Sequence, residues 1–409
     1  MSFHGSGAVG ASGRIPWPLL AALALLTMTG PLATDLYLPA FPRIAEDLGV
    51  GASAVQLTLT AFLLGMGAGQ LLFGALSDRY GRLRPLLFGC SVFVAASVGV
   101  AVSPSVEMLT AFRLLQGMGG AAGVVLARAI IADRVSGPPA ARLFSILMTI
   151  SAVAPAVAPL AGSLVLLASD WRGVLWVLAG AAALMLLGTL WQIRETLQPE
   201  RRRKGSLFGG LAAAVRHRRF VGYVVLFASA FGVMMAYISG SPFLYQEIIG
   251  VTPTVYGILF GVNALGLMAS GLVAARLATR VRVRSTVTAA VLWLLFVSAV
   301  FAGCAVFGAP AWTLAVLVFG VTSGVGFVMG NTTSLALAEV RHVSGSGSAW
   351  LGGAQFTMGA VVSPLSGIGG GSSAVPLGFV LLGSALLACA ALAYTSDRFH
   401  TRPGRAAAP

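Results

Sequence analysis

A lone aspartate at the end of a long uncharged run is the first residue of this chain that could do chemistry. The segment "WPLLAALALLTMTGPLA" carries no charge from Trp17 onward and leads into "TDLYLPAFP", residues 34–42, where little can solvate the ion at Asp35. An apolar surround disfavours an ionised carboxylate, so such a group can bind and release a proton, as exchange of a proton for another solute requires. A helix-end carboxylate that merely faces water is the competing reading, because Asp35 lies within a turn or two of the end of the run. Arg113, in "RLLQGMGGAAG", poses the same problem with opposite sign: a guanidinium stays protonated and inside an apolar helix needs a partner or a water-filled cavity. A direct or water-bridged pair between Asp35 and Arg113 would couple their charges; snorkelling of Arg113 to an interface is the alternative. Residues 74–85, "GALSDRYGRLRP", gather Gly74, Asp78, Arg79, Gly81 and Arg82, and residues 151–163, "SAVAPAVAPLAGS", place Pro155 and Pro159 one helical turn apart, just before Gly162. Each proline removes a backbone donor and bends a helix where neighbours can satisfy the freed carbonyl.

The elements that hold these residues are set by composition. Of 409 residues 57% are hydrophobic and 9% charged, with a mean hydropathy of +0.90. A soluble domain carries about 25% charged residues, so most of this surface must face lipid. Twelve runs are long enough to span a bilayer as helices, at 17–40, 54–76, 85–103, 107–131, 142–167 and 172–192, then at 219–244, 254–277, 285–307, 312–336, 344–368 and 374–395. The chain is thus expected to be an all-α integral membrane protein with an N-terminal bundle of six helices over 1–193, a basic cytoplasmic linker at 194–218, a second bundle of six over 219–395, and a cytoplasmic tail at 396–409. The halves also repeat: "APLAGS" at 158–163 matches "SPLSGI" at 363–368, and "RLRP" after the second span finds "RVRS" after the eighth.

A net charge of +14 raises the possibility of nucleic-acid binding, but the placement of the arginines excludes it. Arg14, Arg79, Arg82, Arg84, Arg134, Arg142, the linker from Arg194 to Arg219, Arg276, Arg280, Arg282, Arg284, Arg341 and the tail arginines all fall on one side of the alternating spans. Only Arg43 and Arg172 fall on the other, and Arg113 and Arg128 lie within a helix. Such asymmetry marks the basic side as cytoplasmic and puts both termini there. Cys90, Cys304 and Cys389 stand alone in apolar runs, and the four histidines are scattered, so neither a disulfide nor a metal site is expected. Lys204 is the sole lysine and no phosphate-cradling GxxxxGK[ST] loop is present, so no cofactor is implied and the energy must come from an ion gradient or from the substrate's own gradient.

The loop "GALSDRYGRLRP" resembles the signature of the major facilitator superfamily, G-x-L-S-D-R-x-G-R-R, with Leu83 in the slot usually taken by a second basic residue. By that resemblance Gly74 allows close helix approach, Asp78 accepts bonds at a neighbouring helix N-terminus, and Arg79 and Arg82 tie the inner helix ends together. "RLLQGMGGAAG" is similar to the fourth-helix motif, in which the arginine serves proton or substrate coupling, and Gly119 and Gly123 offer a small-residue seam. The proline-rich fifth span resembles the helix-bend motif of drug/proton antiporters, and "TDLYLPA" resembles T-D-M-Y-L-P-A of their bicyclomycin and chloramphenicol resistance subgroup. The resemblance implies proton-coupled efflux of small amphipathic antibiotics, phenicols foremost, by a monomer in the bacterial plasma membrane, with the drug, protons and lipid as its only partners. Tyr37, Phe231, Met235, Tyr237, Asn263, Asn331 and Gln355 are the candidate substrate contacts, polar groups in a mostly apolar pocket. Export of sugars or amino acids, nutrient symport and a non-transporting membrane sensor are the rival readings.

Overall fold

A computed structural model describes residues 16–135, 138–201, 215–340, 344–368 and 371–395. Arg14, most of the expected linker, Arg341 and the tail lie outside the described residues. Among the described residues twelve long helices follow one another: α1 (Trp17–Asp35), α2 (Ala52–Tyr80), α3 (Leu83–Ala101), α4 (Val106–Arg134), α5 (Pro138–Ala168), α6 (Trp171–Gln192), α7 (Arg218–Phe243), α8 (Pro253–Leu277), α9 (Val283–Val306), α10 (Ala311–Glu339), α11 (Ser344–Leu365) and α12 (Val375–Tyr394). Ten segments built on these are long and apolar enough to cross a membrane, among the described residues.

Helix ends follow local chemistry. Ser105, Asp170 and Thr252 cap α4, α6 and α8 by accepting backbone N–H bonds from Met108, Gly173 and Val255. α2 stops at Gly81, whose φ of 91° an L side chain rarely adopts. The first span is shorter as a helix than its apolar run: α1 ends at Asp35, a 3-10 turn covers Leu38–Ala40, and a short helix runs over Phe41–Asp47. Pro39 and Pro42 lack the N–H groups that would continue α1.

The packing repeats with the sequence. In the first six helices α2 and α3 pack on α4, α6 on α3, and α1 on α4, α5 and α6. In the last six α8 and α9 pack on α10, α12 on α9, and α7 on α10, α11 and α12. Each pairing is therefore reproduced six helices later. The halves meet through α2 against α11 and α5 against α8, which are equivalent pairs under the same shift. The close approach of α2 to α4 is glycine-made, with Gly65 and Gly117 each against a carbonyl of the partner helix, Leu114 and Phe62, and a Cβ on Gly69 would come 2.6 Å from the Met118 oxygen. Gly74 does not share this role, since a Cβ there would meet only Val125 at 3.9 Å. Nor do Gly119 and Gly123 form one seam: Gly119 faces Gly89 of α3 and Gly123 faces Leu26 of α1.

Candidate functional site

Between the two halves lies a cavity of about 750 Å³, walled by both. Its surface is mostly apolar: Phe62 and Met66 contribute from α2, Phe231 and Met235 from α7, Phe260 from α8 and Phe356 from α11. Polar groups are few, namely Asp35, Gln70, Arg128, Tyr237, Asn263 and Gln355, with some hydroxyls. Hence Asp35, Phe231, Met235, Tyr237, Asn263 and Gln355, expected from sequence, are brought to one wall surface.

Asp35 closes α1 and is 3% exposed, and its Oδ1 has no hydrogen-bond partner in the protein. Gly162 sets this position, because a side chain there would collide with the carbonyl of Leu36 just beyond Asp35. Earlier on the same helix Pro155 itself lines the cavity, and Ser163 Oγ lies 2.7 Å from the carbonyls of both Pro159 and Pro253, the latter in the other half. Across the cavity on α7, Tyr237 is buried, stacks on Phe260 with ring centres 5.4 Å apart, and leaves its hydroxyl unpartnered. Asn263 is held by Tyr245 OH and the Leu259 carbonyl, which accept from its Nδ2 at 3.0 and 2.9 Å.

Arg113 is not on this wall. It is fully buried between the rings of Tyr37 and Phe62, each centred 4.4 Å from its guanidinium carbon, and Nη1 donates to Gln116 Oε1. Gln116 in turn donates to Ser97 Oγ at 2.7 Å, and Tyr37 OH lies 3.1 Å from Thr58 Oγ1. Among the described residues no direct Asp35–Arg113 ion pair is present, and two aromatic faces lie against the guanidinium instead. Residues 113, 116 and 117 share the helix face turned to α2 and α3, which draws Arg113 away from the cavity. Tyr37 likewise serves Arg113 and does not line the cavity. Asn331 is also off the wall, where its α10 neighbours Gly330 and Thr333 stand, and it donates back to the Phe327 carbonyl at 3.1 Å.

At the basic end, Arg82 joins α2 to α4. Its Nη1 donates to Asp78 Oδ1 at 2.7 Å and to Ser77 Oγ, and its Nε donates to Asp133 Oδ2 at 2.9 Å. Asp78 therefore pairs with Arg82 and accepts no bond from a helix N-terminus. That task falls to Glu195, beyond α6, which takes the N–H groups of Arg82 and Leu83 at 2.8 and 3.2 Å. Desolvation pushes the Glu195 carboxyl up, but the N–H groups of Arg82, Leu197, Leu83 and Thr196 outweigh it and hold it below the usual carboxylate range. Arg79 rests over the ring of its neighbour Tyr80 and ties no helices together. Sequence reading passed over Asp133, Gln70 and Arg128; an arginine inside a span was the one available signal for Arg128.

The hydrogen bonds between the halves gather at the other end. Gln246 Nε2 donates to Pro39 O at 3.1 Å, Gln56 Nε2 to Ser239 O at 3.0 Å, Ser53 Oγ to Pro364 O at 3.2 Å and Thr60 Oγ1 to Ala360 O at 3.0 Å. With that mouth shut, the cavity faces the basic end, where Arg128 is exposed. Among the described residues no cluster of three His, Cys, Asp or Glu side chains is placed to hold a metal.

The chain is similar to known proteins over most of its length. The model of the Major Facilitator Superfamily matches residues 23–364. An uncharacterized MFS-type transporter, YdgK, of Bacillus subtilis (strain 168) is 37% identical over 92% of this chain and 94% of its own. A bicyclomycin resistance protein homolog of Haemophilus influenzae is 27% identical over 92% and 94%. A chloramphenicol resistance protein of Pseudomonas aeruginosa is 34% identical over 62% of this chain and 58% of its own. Among solved structures, a point mutant of the nucleoside transporter NupG superposes with a TM-score of 0.75 at 14% identity, over 92% of this chain and 98% of that one.

Proposed function

The chain belongs to the major facilitator superfamily, and from that premise we propose that it exports small amphipathic antibiotics in exchange for protons. It is a transporter and not an enzyme. One observation carries the coupling: the buried carboxylate of Asp35, with an unpartnered oxygen, stands on the wall of a mostly apolar cavity shared by the two halves. A carboxylate so placed takes a proton when no other ligand satisfies it and gives it up when one does, so proton and drug compete for one site. Phenicols are the leading substrates and bicyclomycin-like drugs the next, in line with the names of the relatives. Arg82 with Asp78, Asp133 and Glu195 holds the first half rigid at its basic end, while the halves rock about the cavity. The basic end is the cytoplasmic one, in the plasma membrane of a bacterium, and a monomer suffices because each chain encloses its own cavity. The experiment is a drug-susceptibility panel in an efflux-deficient host expressing wild type or Asp35→Asn at equal levels. Resistance to a phenicol in the first and its loss in the second is the expected outcome, and equal resistance in both refutes the role of Asp35.

A further inference from the structure

The cavity carries a second charge that proton exchange leaves without a task. Asp35 and Arg128 are the only formally charged residues among its described lining, and they come from different helices, α1 and α4. Arg128 follows Val124, also on the wall, by one helical turn, and it is exposed. No carboxylate pairs with it among the described residues, where the ion pairs are Arg82 with Asp78 and Asp133, and Arg172 with Asp47. Other arginines of the basic side, such as Arg134 at the end of the same helix, stay off the cavity lining, whereas Arg128 stands in it. Its guanidinium stays charged and offers five donors in a planar fork that no hydrogen bond or ion pair among the described residues takes up.

We propose that Arg128 is a specificity-determining residue of the transport cavity, which receives the acceptor-rich or anionic end of the substrate. This deepens, and rests on, the export reading. The transported molecules are then neutral or zwitterionic dipoles, with a donor end for Asp35, an apolar body against the aromatic and methionine walls, and an acceptor end for Arg128. Charge bookkeeping gives the same answer. With Asp35 protonated the cavity is singly positive, and with Asp35 ionised it is neutral, so neither state presents a lipophilic cation with a net negative site. The aromatic rings of Phe231, Phe260 and Phe356 on the wall would otherwise suit a cation. Arg128 opposes that attraction with a charge of the same sign.

Tetraphenylborate and tetraphenylphosphonium test this directly, since they share a shape and differ in the sign of their charge. Equilibrium binding of each is measured on the full-length purified protein in nanodiscs, for wild type, Arg128→Met and Arg128→Lys. Comparison between variants cancels partition into the lipid. Arg128→Met should lower the anion-to-cation affinity ratio about tenfold or more, while Arg128→Lys keeps most of the preference. An equal ratio in wild type and Arg128→Met overturns the assignment, as does a loss of both ions alike. The assay needs no pH gradient, which separates the two claims. A shifted ratio without gradient-driven drug export sinks the export reading alone, and gradient-driven export with an unshifted ratio sinks the role of Arg128.

Discussion

Adding one methyl group at Gly257 should pry open the shut mouth. Gly257 lies in the first turns of α8, buried against α5 of the other half, where a Cβ would sit 2.9 Å from Leu160 Cα and 2.9 Å from Ser163 Oγ. Ordinary contact begins at 3.4 Å and is relaxed by 4 Å, so α8 must retreat by 3.4 − 2.9 to 4 − 2.9, or 0.5 to 1.1 Å. That retreat also stretches the 2.7 Å approach of Ser163 Oγ to the Pro253 carbonyl. Overpacking costs about 1–3 kcal/mol and the weakened hydrogen bond about 0.5–1.5 kcal/mol. The helix-propensity gain of alanine over glycine acts in both conformations and cancels from their ratio. A bias of even about 2 kcal/mol shifts a two-state population about 30-fold toward the conformation in which this mouth is open. Spin labels at the exposed Leu167 of α5 and Ile258 of α8 would report it by pulsed dipolar spectroscopy, with Cys304 and Cys389 replaced by serine. Gly257→Ala should move the distance distribution outward, while Gly303→Ala, which meets nothing within 4 Å, should leave it in place. Superimposable distributions for Gly257→Ala and wild type would refute the idea that α5 and α8 form the closing contact.

Further outcomes follow from the same packing. Arg113→Lys keeps the charge but loses the planar stacking on Tyr37 and Phe62, so its thermal midpoint should fall by the equivalent of about 2 kcal/mol; an unchanged midpoint contradicts the stacked arrangement. Glu195→Gln should cost about 0.5 kcal/mol at neutral pH, at the low end for a helix cap because the group is exposed. Since the folded Glu195 carboxyl titrates below its ordinary 4.5, its stabilisation is full above that value and is lost as pH falls through the folded one, so melting curves of wild type and Glu195→Gln should converge only in acid.

Much of the architecture was legible because apolar length alone dictates it. The run at 172–192 became Trp171–Gln192 and the run at 219–244 became Arg218–Phe243, since in lipid each span must satisfy its own backbone as a helix. What length does not encode is rotation about the helix axis. Both faces of a span are apolar, one for lipid and one for the bundle, so the pattern could not say that Tyr37 and Asn331 turn away from the cavity while Gln70 and Arg128 line it. Asp35 was readable because a carboxylate has so few tolerable places in such a helix. Arg113 was readable as unusual but not as to its partner, because two aromatic rings leave no mark of opposite charge in the sequence. Gly74 stood inside a recognisable motif, yet the glycines that bring α2 onto α4 are Gly65, Gly69 and Gly117, which lie among many small residues with nothing local to single them out. Glu195 caps α3 from the end of the first half, a contact across more than a hundred residues that no local pattern displays.

The central claim is that Asp35 carries the proton exchanged for a drug, and inverted membrane vesicles with an acid lumen test it most directly. Wild type should accumulate labelled chloramphenicol while the gradient lasts and release it when a protonophore collapses the gradient. Asp35→Asn, which cannot ionise, should insert normally and show no gradient-driven accumulation. Accumulation by Asp35→Asn equal to that of wild type, or wild-type accumulation indifferent to the gradient, would contradict the account.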